Sequence, residues 1–561
     1  MSKPTNQRKV LVTAALPYSN GRLHVGHIAG AYLPSDIYVR YLRLAGAEVR
    51  FVCGSDDHGV AIMLTAEKEG KTPAEVAKFY GEKQQRDLLG LGISLDIYSS
   101  TSRNSYHKQA SQEFFLKVYE RGFFEKKSTR QFYDASREMF LPDRFVKGTC
   151  TYCETLEQNG DQCENCGKML DVDSLRDARS VMSGNPATVK ETVHWFLDVT
   201  SFEQAVSNWV DTAVLRDHTR NYVRGLLGMG LVKRSMTRDI SWGIPLPIQD
   251  PDAAGKVLYV WFDAPIGYIS NTAELCQQLD GDSERYNDWW RSPETEIYHF
   301  IGEDNTIFHC VIWIAMLQAE STFQLPRGVI VNNFLNIQFP DRESEKISKS
   351  RGTAVWIEDY LSEGGSSDVL RYYLTSIAPE RARTVYKPDD LVQRNNSELA
   401  NILGNFVHRI VSFTIKYEGP QIPAIDPAKL TQTDHNFLAL FETCHITLTK
   451  QLEEFAFKQG LEGLMDFARA CNKYADEKAP WATRKTDLET TRVTLALCLQ
   501  AIHFLGVCFA PFLPETSAKI LRLMNQDPES TRWMDALTPP PAGALLNEPQ
   551  ILFQKIETEK K

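Results

Sequence analysis

The chain has 561 residues, 43% of them hydrophobic and 24% charged, with a formal net charge of −10. It is too long for a single hydrophobic core, so three or four structural units of ordinary globular composition are expected. Charge alone does not predict a nucleic-acid partner; recognition of one would need basic residues gathered on one face, with stacking and base hydrogen bonds carrying more of the load.

The opening MSKPTNQRK is polar and leads into a strand, so it reads without a secretory leader. No apolar run approaches the ~18 residues of a membrane span. Lys9 to Ala15 (KVLVTAA) is a short β-branched run that reads as a strand and breaks at Pro17, Asn20 and Gly21. Helical spacing resumes through Ile28, Leu33, Ile37, Tyr41 and Leu44, with Pro34 as an unfavourable interior residue. A strand, a tight turn and a helix N-terminus form an anion site, where free backbone N–H groups and the helix dipole face the ligand. His24 and His27, one turn apart in HVGH, can both point there, and Gly26 removes a Cβ where a ribose or base would press. Taken alone, two surface histidines beside a loop would be the plainer explanation. A second strand follows at Val49 to Gly54, then GSDDHG with Asp56, then a helical stretch from Gly59. Asp56 at a strand end suits either a cation or a helix cap.

This alternation, over residues 1–118, argues for a parallel α/β sheet with ligands at the strand C-terminal ends. Residues 119–240 interrupt it. They contain Cys150, Cys153, Cys163 and Cys166 in a C-x2-C-x9-C-x2-C pattern. Two tight turns of two thiolates each complete a tetrahedron suited to one structural Zn²⁺, with no position open to water. Disulfides and an iron–sulfur cluster are the weaker readings. Eleven cysteines without a leader fit a reducing cytoplasm.

The α/β pattern returns over residues 241–345 with VLYVWFDA, IYHFIG and GVIVNNFLNI, read as strands. Trp261, Ala264, Pro265 and Tyr268, expected just after the strand VLYV, supply aromatic plates around small residues, which fits either an unbranched apolar ligand or an ordinary core. DRESE then leads into KISKS, opening residues 346–390. Lys346 and Lys349 there offer two ammonium groups able to neutralise a leaving pyrophosphate, against the plain alternative of a solvated loop. Residues 391–540 are helical. In Leu399 to Ile410 an apolar face of Leu399, Ile402, Leu403, Phe406 and Ile410 lies opposite Asn401, Asn405 and Arg409. Pro480-Trp481 adds an exposed indole. An amide, a guanidinium and an indole are what unstacked bases need, although such a stripe is usually only solvated. TPPPAGA at Thr538 to Ala544 marks a linker to a charged tail, residues 541–561.

HVGH and KISKS, in this order, resemble the two signatures of class I aminoacyl-tRNA synthetases. With ALPYSNGRLHVGH, GSDDHG, YVWFDAPIGY, HFIGEDN and APW the chain resembles the methionyl-tRNA synthetase family from about Val10 to Trp481, in its bacterial single-zinc-knuckle form. The resemblance implies a Rossmann-type catalytic domain split by a zinc-binding connective insertion and followed by a helical-bundle anticodon-binding domain. It implies activation of methionine by ATP with Mg²⁺, then transfer to elongator and initiator tRNA in the cytoplasm. By resemblance, His24, Gly26, His27, Arg238, Lys346 and Lys349 serve ATP. Ala15, Leu16, Tyr18, Asp56, Trp261, Ala264, Pro265, Tyr268 and His309 form the methionine pocket, with Asp56 on the α-ammonium. Asn401, Asn405, Arg409, Pro480 and Trp481 match the anticodon readers. Two departures stand out: Asn305 replaces an isoleucine of some members, and Ile347 replaces the commonest methionine. An insertion of about 120 residues leaves little room for the hydrolytic editing domain of the branched-chain enzymes. The chain stops at Lys561 without the family's C-terminal dimerisation domain, so a monomer with no membrane contact is expected. Rival readings are a cysteine or branched-chain synthetase, a small nucleotidyltransferase, and a non-catalytic tRNA-binding descendant.

Overall fold

A computed structural model describes residues 4–160, 163, 165–166, 168, 170–339, 345–346 and 353–557, by backbone alone at 143 and 345–346. Five strands form the central sheet: β1 (Lys9–Ala14), β2 (Glu48–Ser55), β3 (Ile97–Ser100), β4 (Thr295–Gly302) and β5 (Gly328–Asn332). Their spatial order is β5–β4–β1–β2–β3, and every neighbouring pair is parallel. Both faces are covered. Val10, Val12 and Ala14 of β1 enter a core shared with the C-terminal helices, while Leu11 enters a second core with Phe262, Ile266 and Trp313. The period-2 alternation of a strand makes this division, and it explains why β1 reads as a continuous apolar run. The chain moves outward from β1 to β3 and then returns beside β1 as β4. Strand order therefore reverses between β1 and β4, which opens a crevice at their C-terminal ends.

Between β3 and β4 the chain builds antiparallel structure, as the change in sequence texture anticipates. Phe124–Asp134 pairs with Thr188–Leu197 from Phe124↔Leu197 to Tyr133↔Thr188. Val146–Cys150 lies between Gln158–Asn159 and Leu175–Ser180 in a second sheet that carries the cysteines.

Several local expectations need correction. VLYVWFDA is not a strand of the main sheet: only Val257–Leu258 is extended, paired with Thr237–Arg238, and a helix runs from Val260 to Asp280. Phe262, Ile266 and Ile269 share its buried face, and a short apolar run cannot distinguish these two outcomes by periodicity. GVIVNNFLNI divides between β5 and Leu335–Ile337, which belongs to a separate three-stranded sheet with Glu345–Lys346 and Thr384–Tyr386. Pro34 does not break its helix. It falls in the first turn of Leu33–Leu44, directly after a wider π-type turn at Ile28–Tyr32; an early position has an orphan N–H in any case. Among the described residues one helix, Leu488–Cys508, is long and apolar enough to cross a membrane, contrary to the sequence reading, but 89% of its apolar window is buried.

The C-terminal bundle contains Asn405–Glu418, Gln432–Glu453, Phe457–Lys478, Leu488–Cys508 and Pro514–Leu523. Two buried arginines join it to the α/β part of the chain. Arg371 pairs with Asp36 at 2.7 Å and donates to the carbonyls of Leu91, Pro511 and Phe512. Arg8, at the foot of β1, bridges Glu296 and Glu453.

Candidate functional site

The crevice between β1 and β4 is where most of the sequence-selected residues gather. β1 ends at Ala14, and His24 caps the helical turn that follows. The Gly26 N–H donates to His24 Nδ1 at 3.1 Å and the His24 N–H to His27 Nδ1 at 3.1 Å. The two rings lie 3.8 Å apart. Because each Nδ1 accepts from backbone, the proton of each neutral ring sits on Nε2, which becomes a hydrogen-bond donor. The expected free backbone N–H groups are not there: Val25 donates to Val355, and His27 to the His24 carbonyl. The anion donors of this turn are therefore the imidazoles.

Those bonds also bring the chain downstream of the late lysine motif to the early histidines. Val25 N–H donates to Val355, Ile357 N–H donates to Leu23, and His24 forms a β-bridge with Trp356. Arg22 covers the Trp356 ring at 4.8 Å. Upstream, Glu345–Lys346 is tied to Leu335–Ile337. Both flanks of KISKS are thus anchored, the downstream one on the histidine turn itself. Lys349 lies outside the described residues, as does the side chain of Lys346.

Asp56 continues the pairing beyond β2, with its N–H on Pro17 O and its carbonyl receiving Ser19 N–H. It does not cap a helix; Gly59 occupies that position. Its carboxyl is buried, and Oδ1 has no hydrogen-bond partner among the described residues. Burial, followed by the Asp263 and Asp57 carboxylates, pushes it well above the ordinary aspartate value. A buried acid in that state is ready for a cation.

Trp261, Ala264, Pro265 and Tyr268 fall at helical spacings of three and four on one face of Val260–Asp280. This helix meets the end of β1 closely: a Cβ added at Gly267 would stand 2.8 Å from Leu16 Cδ1. Ala15 O accepts from the Tyr32 hydroxyl, and Tyr18 bridges to Asp56. Tyr268 is buried, with its hydroxyl 2.8 Å from His309 Nε2, and His309 Nδ1 donates to the Asn305 carbonyl at 3.2 Å. Burial draws His309 down to about 4, so it is neutral and accepts from Tyr268. Asn305 enters this set through its backbone. Phe308, which the sequence reading missed, lies tilted against Trp261 with ring centroids 3.6 Å apart. The Arg238 guanidinium lies over the Tyr259 ring at 3.7 Å and donates to the Ser235 and Thr237 carbonyls.

Also missed was a buried cluster beneath this face. His58 Nδ1 lies 2.7 Å and His107 Nε2 3.4 Å from Asp263 Oδ2. No local motif connects positions 58, 107 and 263, although GSDDHG and WFDA each contain one member.

In the insertion, Cys150 and Cys166 sulfurs stand 3.9 Å apart and Cys153 and Cys163 sulfurs 3.5 Å apart. All four sulfurs lie within 4.8 Å of one another, and none is in a disulfide. A tetrahedron with Zn–S of ~2.3 Å has edges of about 3.8 Å, so the donor set fits one zinc.

In the C-terminal helical part, Asn401 and Asn405 are exposed on successive turns and Arg409 follows, bonded to Asp476 at 2.8 Å. Arg409 lies 5.2 Å from the ring of Trp481, which is 41% exposed, while Pro480 is buried behind it. The predicted apolar face is on the core side, with Leu399, Leu403, Phe406 and Ile410 buried.

Two families match the chain: one described as tRNA synthetases class I (M) over residues 10–411, and the anticodon binding domain of methionyl tRNA ligase over 425–561. A methionine–tRNA ligase of Porphyromonas gingivalis is 42% identical over 554 residues, spanning 98% of this chain and 79% of that one. One from Bacteroides fragilis is 42% identical with the same coverage. Among solved structures, Mycobacterium tuberculosis methionyl-tRNA synthetase bound by methionyl-adenylate superposes with a TM-score of 0.80 at 25% identity, covering 98% of this chain and 100% of that one.

Proposed function

This chain belongs to the class I methionyl-tRNA synthetase family, and on that premise we propose how its own residues carry the reaction. The enzyme is a methionine–tRNA ligase: it activates methionine with ATP and passes the aminoacyl group to tRNA. The methionine carboxylate attacks the α-phosphorus and pyrophosphate leaves; the terminal ribose hydroxyl of tRNA then attacks the mixed anhydride. No side chain needs to become covalently attached, so positioning and charge stabilisation suffice.

Asp56 receives the α-ammonium. The thioether side chain lies among Leu16, Tyr18, Trp261, Ala264, Pro265 and Tyr268, with His309 holding the Tyr268 hydroxyl. His24 and His27 donate through Nε2 to phosphate oxygens as charge develops, and Gly26 leaves space for the nucleotide. Lys349, with Lys346, neutralises the departing pyrophosphate; Mg²⁺ accompanies ATP. Arg238 is a second-rank candidate for ATP, since its guanidinium rests on Tyr259. Cys150, Cys153, Cys163 and Cys166 would hold one zinc, which supplies a structural cross-link to the insertion. Asn401, Asn405, Arg409, Pro480 and Trp481 read the anticodon of elongator and initiator tRNA. The division at 1–118, 119–240, 241–345, 346–390, 391–540 and 541–561 is the functional one proposed, in a cytoplasmic monomer.

The observation that supports this reading most directly is the hydrogen-bonded meeting of Leu23–Val25 with Val355–Ile357 at the crevice between β1 and β4. Methionine-dependent ATP–pyrophosphate exchange tests it. Exchange driven by methionine, and not by cysteine, valine, leucine or isoleucine, is expected; exchange driven only by one of those others overturns it.

A further inference from the structure

The cluster beneath the pocket links three elements that have no other reason to share a carboxylate. His58 is two residues beyond Asp56, on the loop after β2. Asp263 lies on the helix Val260–Asp280 between Trp261 and Ala264. His107 opens the helix His107–Glu120. His58 Nδ1 and His107 Nε2 both approach Asp263 Oδ2, at 2.7 and 3.4 Å, and the two imidazole rings stack with centroids 6.2 Å apart. His107 Nδ1 reaches back to Ser270 Oγ on the same helix at 2.9 Å, so that helix is gripped at two points. Trp242 donates to the Asp57 carbonyl at 2.6 Å and lays its ring edge on His58, closing the loop from the other side. All three members of the cluster are buried, and Asp263 Oδ1 has no partner among the described residues.

We propose that Asp263, clamped by His58 and His107, is a positioning residue that fixes the distance between Asp56 and the aromatic face of Val260–Asp280, and so sets amino-acid selectivity. This rests on the pocket assigned above. An amino acid is held at two points, its ammonium and its side chain, and those points belong to different elements. Selection between side chains that differ by one methyl, worth only ~1–3 kcal/mol in an apolar pocket, depends on the spacing of those points. The His58–Asp263 bond is the direct tie between them. Burial opposes charge on both groups, yet each shifts the other toward its charged form: Asp263 lies below its usual value and His58 above its own. His107, in contrast, is lowered by burial and is the neutral member, donating from Nε2. The charged groups facing His58 are Asp57 on its own loop and Asp263 across from it.

The test uses the full chain and compares Asp263→Asn and His107→Gln with Asp56→Asn. Pyrophosphate exchange is measured with methionine and homocysteine, varying amino acid and ATP separately. For both clamp variants the expected result is a methionine KM at least ~10-fold higher and a methionine-to-homocysteine preference at least ~5-fold lower, with the ATP KM within ~2-fold. An equal rise in the ATP KM, or no change in preference, overturns the clamp. If Asp56→Asn also leaves the methionine KM unchanged, the pocket assignment itself is wrong. Should Asp263→Asn fail to fold, His58→Gln, which removes the direct tie to Asp263 Oδ2, is measured in its place with the same expected and overturning results. Metal analysis of the purified enzyme supplies a further arm: a second zinc lost in His107→Gln would make the cluster a metal centre and overturn the positioning role.

Discussion

At the end of β2, Asp56 occupies an environment that favours its protonated form. An aspartate raised in the folded state contributes stability below the ordinary value of 3.8 and loses it as pH climbs toward the folded value. Near neutral pH the ionised carboxylate is therefore a net cost to the fold, tolerated for what it binds. Asp56→Asn should raise the melting temperature at about pH 7.5, read by calorimetry, while losing a charge-assisted hydrogen bond of ~1.5–3 kcal/mol. The methionine KM should then rise roughly 10- to 150-fold. In the unmodified enzyme that KM should climb as pH falls through the folded value of Asp56; a flat profile would remove the carboxylate from ammonium binding. For Lys349→Ala, exchange should fall by at least ~100-fold in a protein with unchanged circular dichroism, and retained exchange would reject its role. The single residues differ in how legible they were. HVGH and KISKS are local strings, and the segment Val355–Ile357 that follows the second one meets the histidine turn. His58, His107 and Asp263 meet only through tertiary packing, so no window of sequence could have linked them.

Among the elements, the helix Val260–Asp280 shows where sequence reading lost its footing. Its first residues are β-branched and aromatic, and next to a two-residue strand they resemble more strand. The helix wins because Phe262, Ile266 and Ile269 find one continuous core, which Tyr268 joins, while Trp261, Ala264 and Pro265 stay half-buried. The helical stretch Leu399 to Ile410 was easier, since its apolar and polar stripes separate cleanly. Trp481→Ala should lower tRNA charging by ~100-fold or more and leave exchange within ~2-fold; equal loss of both would refute the separation of roles. The cysteine turns were readable from spacing alone. Cys166→Ser should release zinc, measured by a chromophoric chelator, and lower the melting temperature of the insertion, whereas unchanged zinc content would contradict tetrahedral ligation.

For the molecule as a whole, α/β alternation and the late helical run revealed the architecture, but not the order β5–β4–β1–β2–β3, because strand neighbours depend on crossovers the sequence does not mark. Nor did it announce how the bundle is fastened to the α/β part of the chain. Arg371 is buried against Asp36 and three carbonyls, so no single neighbour in sequence signals its role. Removing one partner of such a pair typically costs ~3–5 kcal/mol. Arg371→Met should lower unfolding free energy by about that amount in urea titrations; a loss below ~1 kcal/mol would show the tie to be incidental. The helix Leu488–Cys508 adds a constraint on synthesis. Its apolar surface is covered by segments on both sides of it in the chain, including Pro514–Leu523. While the ribosome is still making that later segment, the emerging polypeptide displays a stretch greasy enough to attract chaperones or a bilayer. Completion of the bundle must therefore wait until Pro514–Leu523 has emerged.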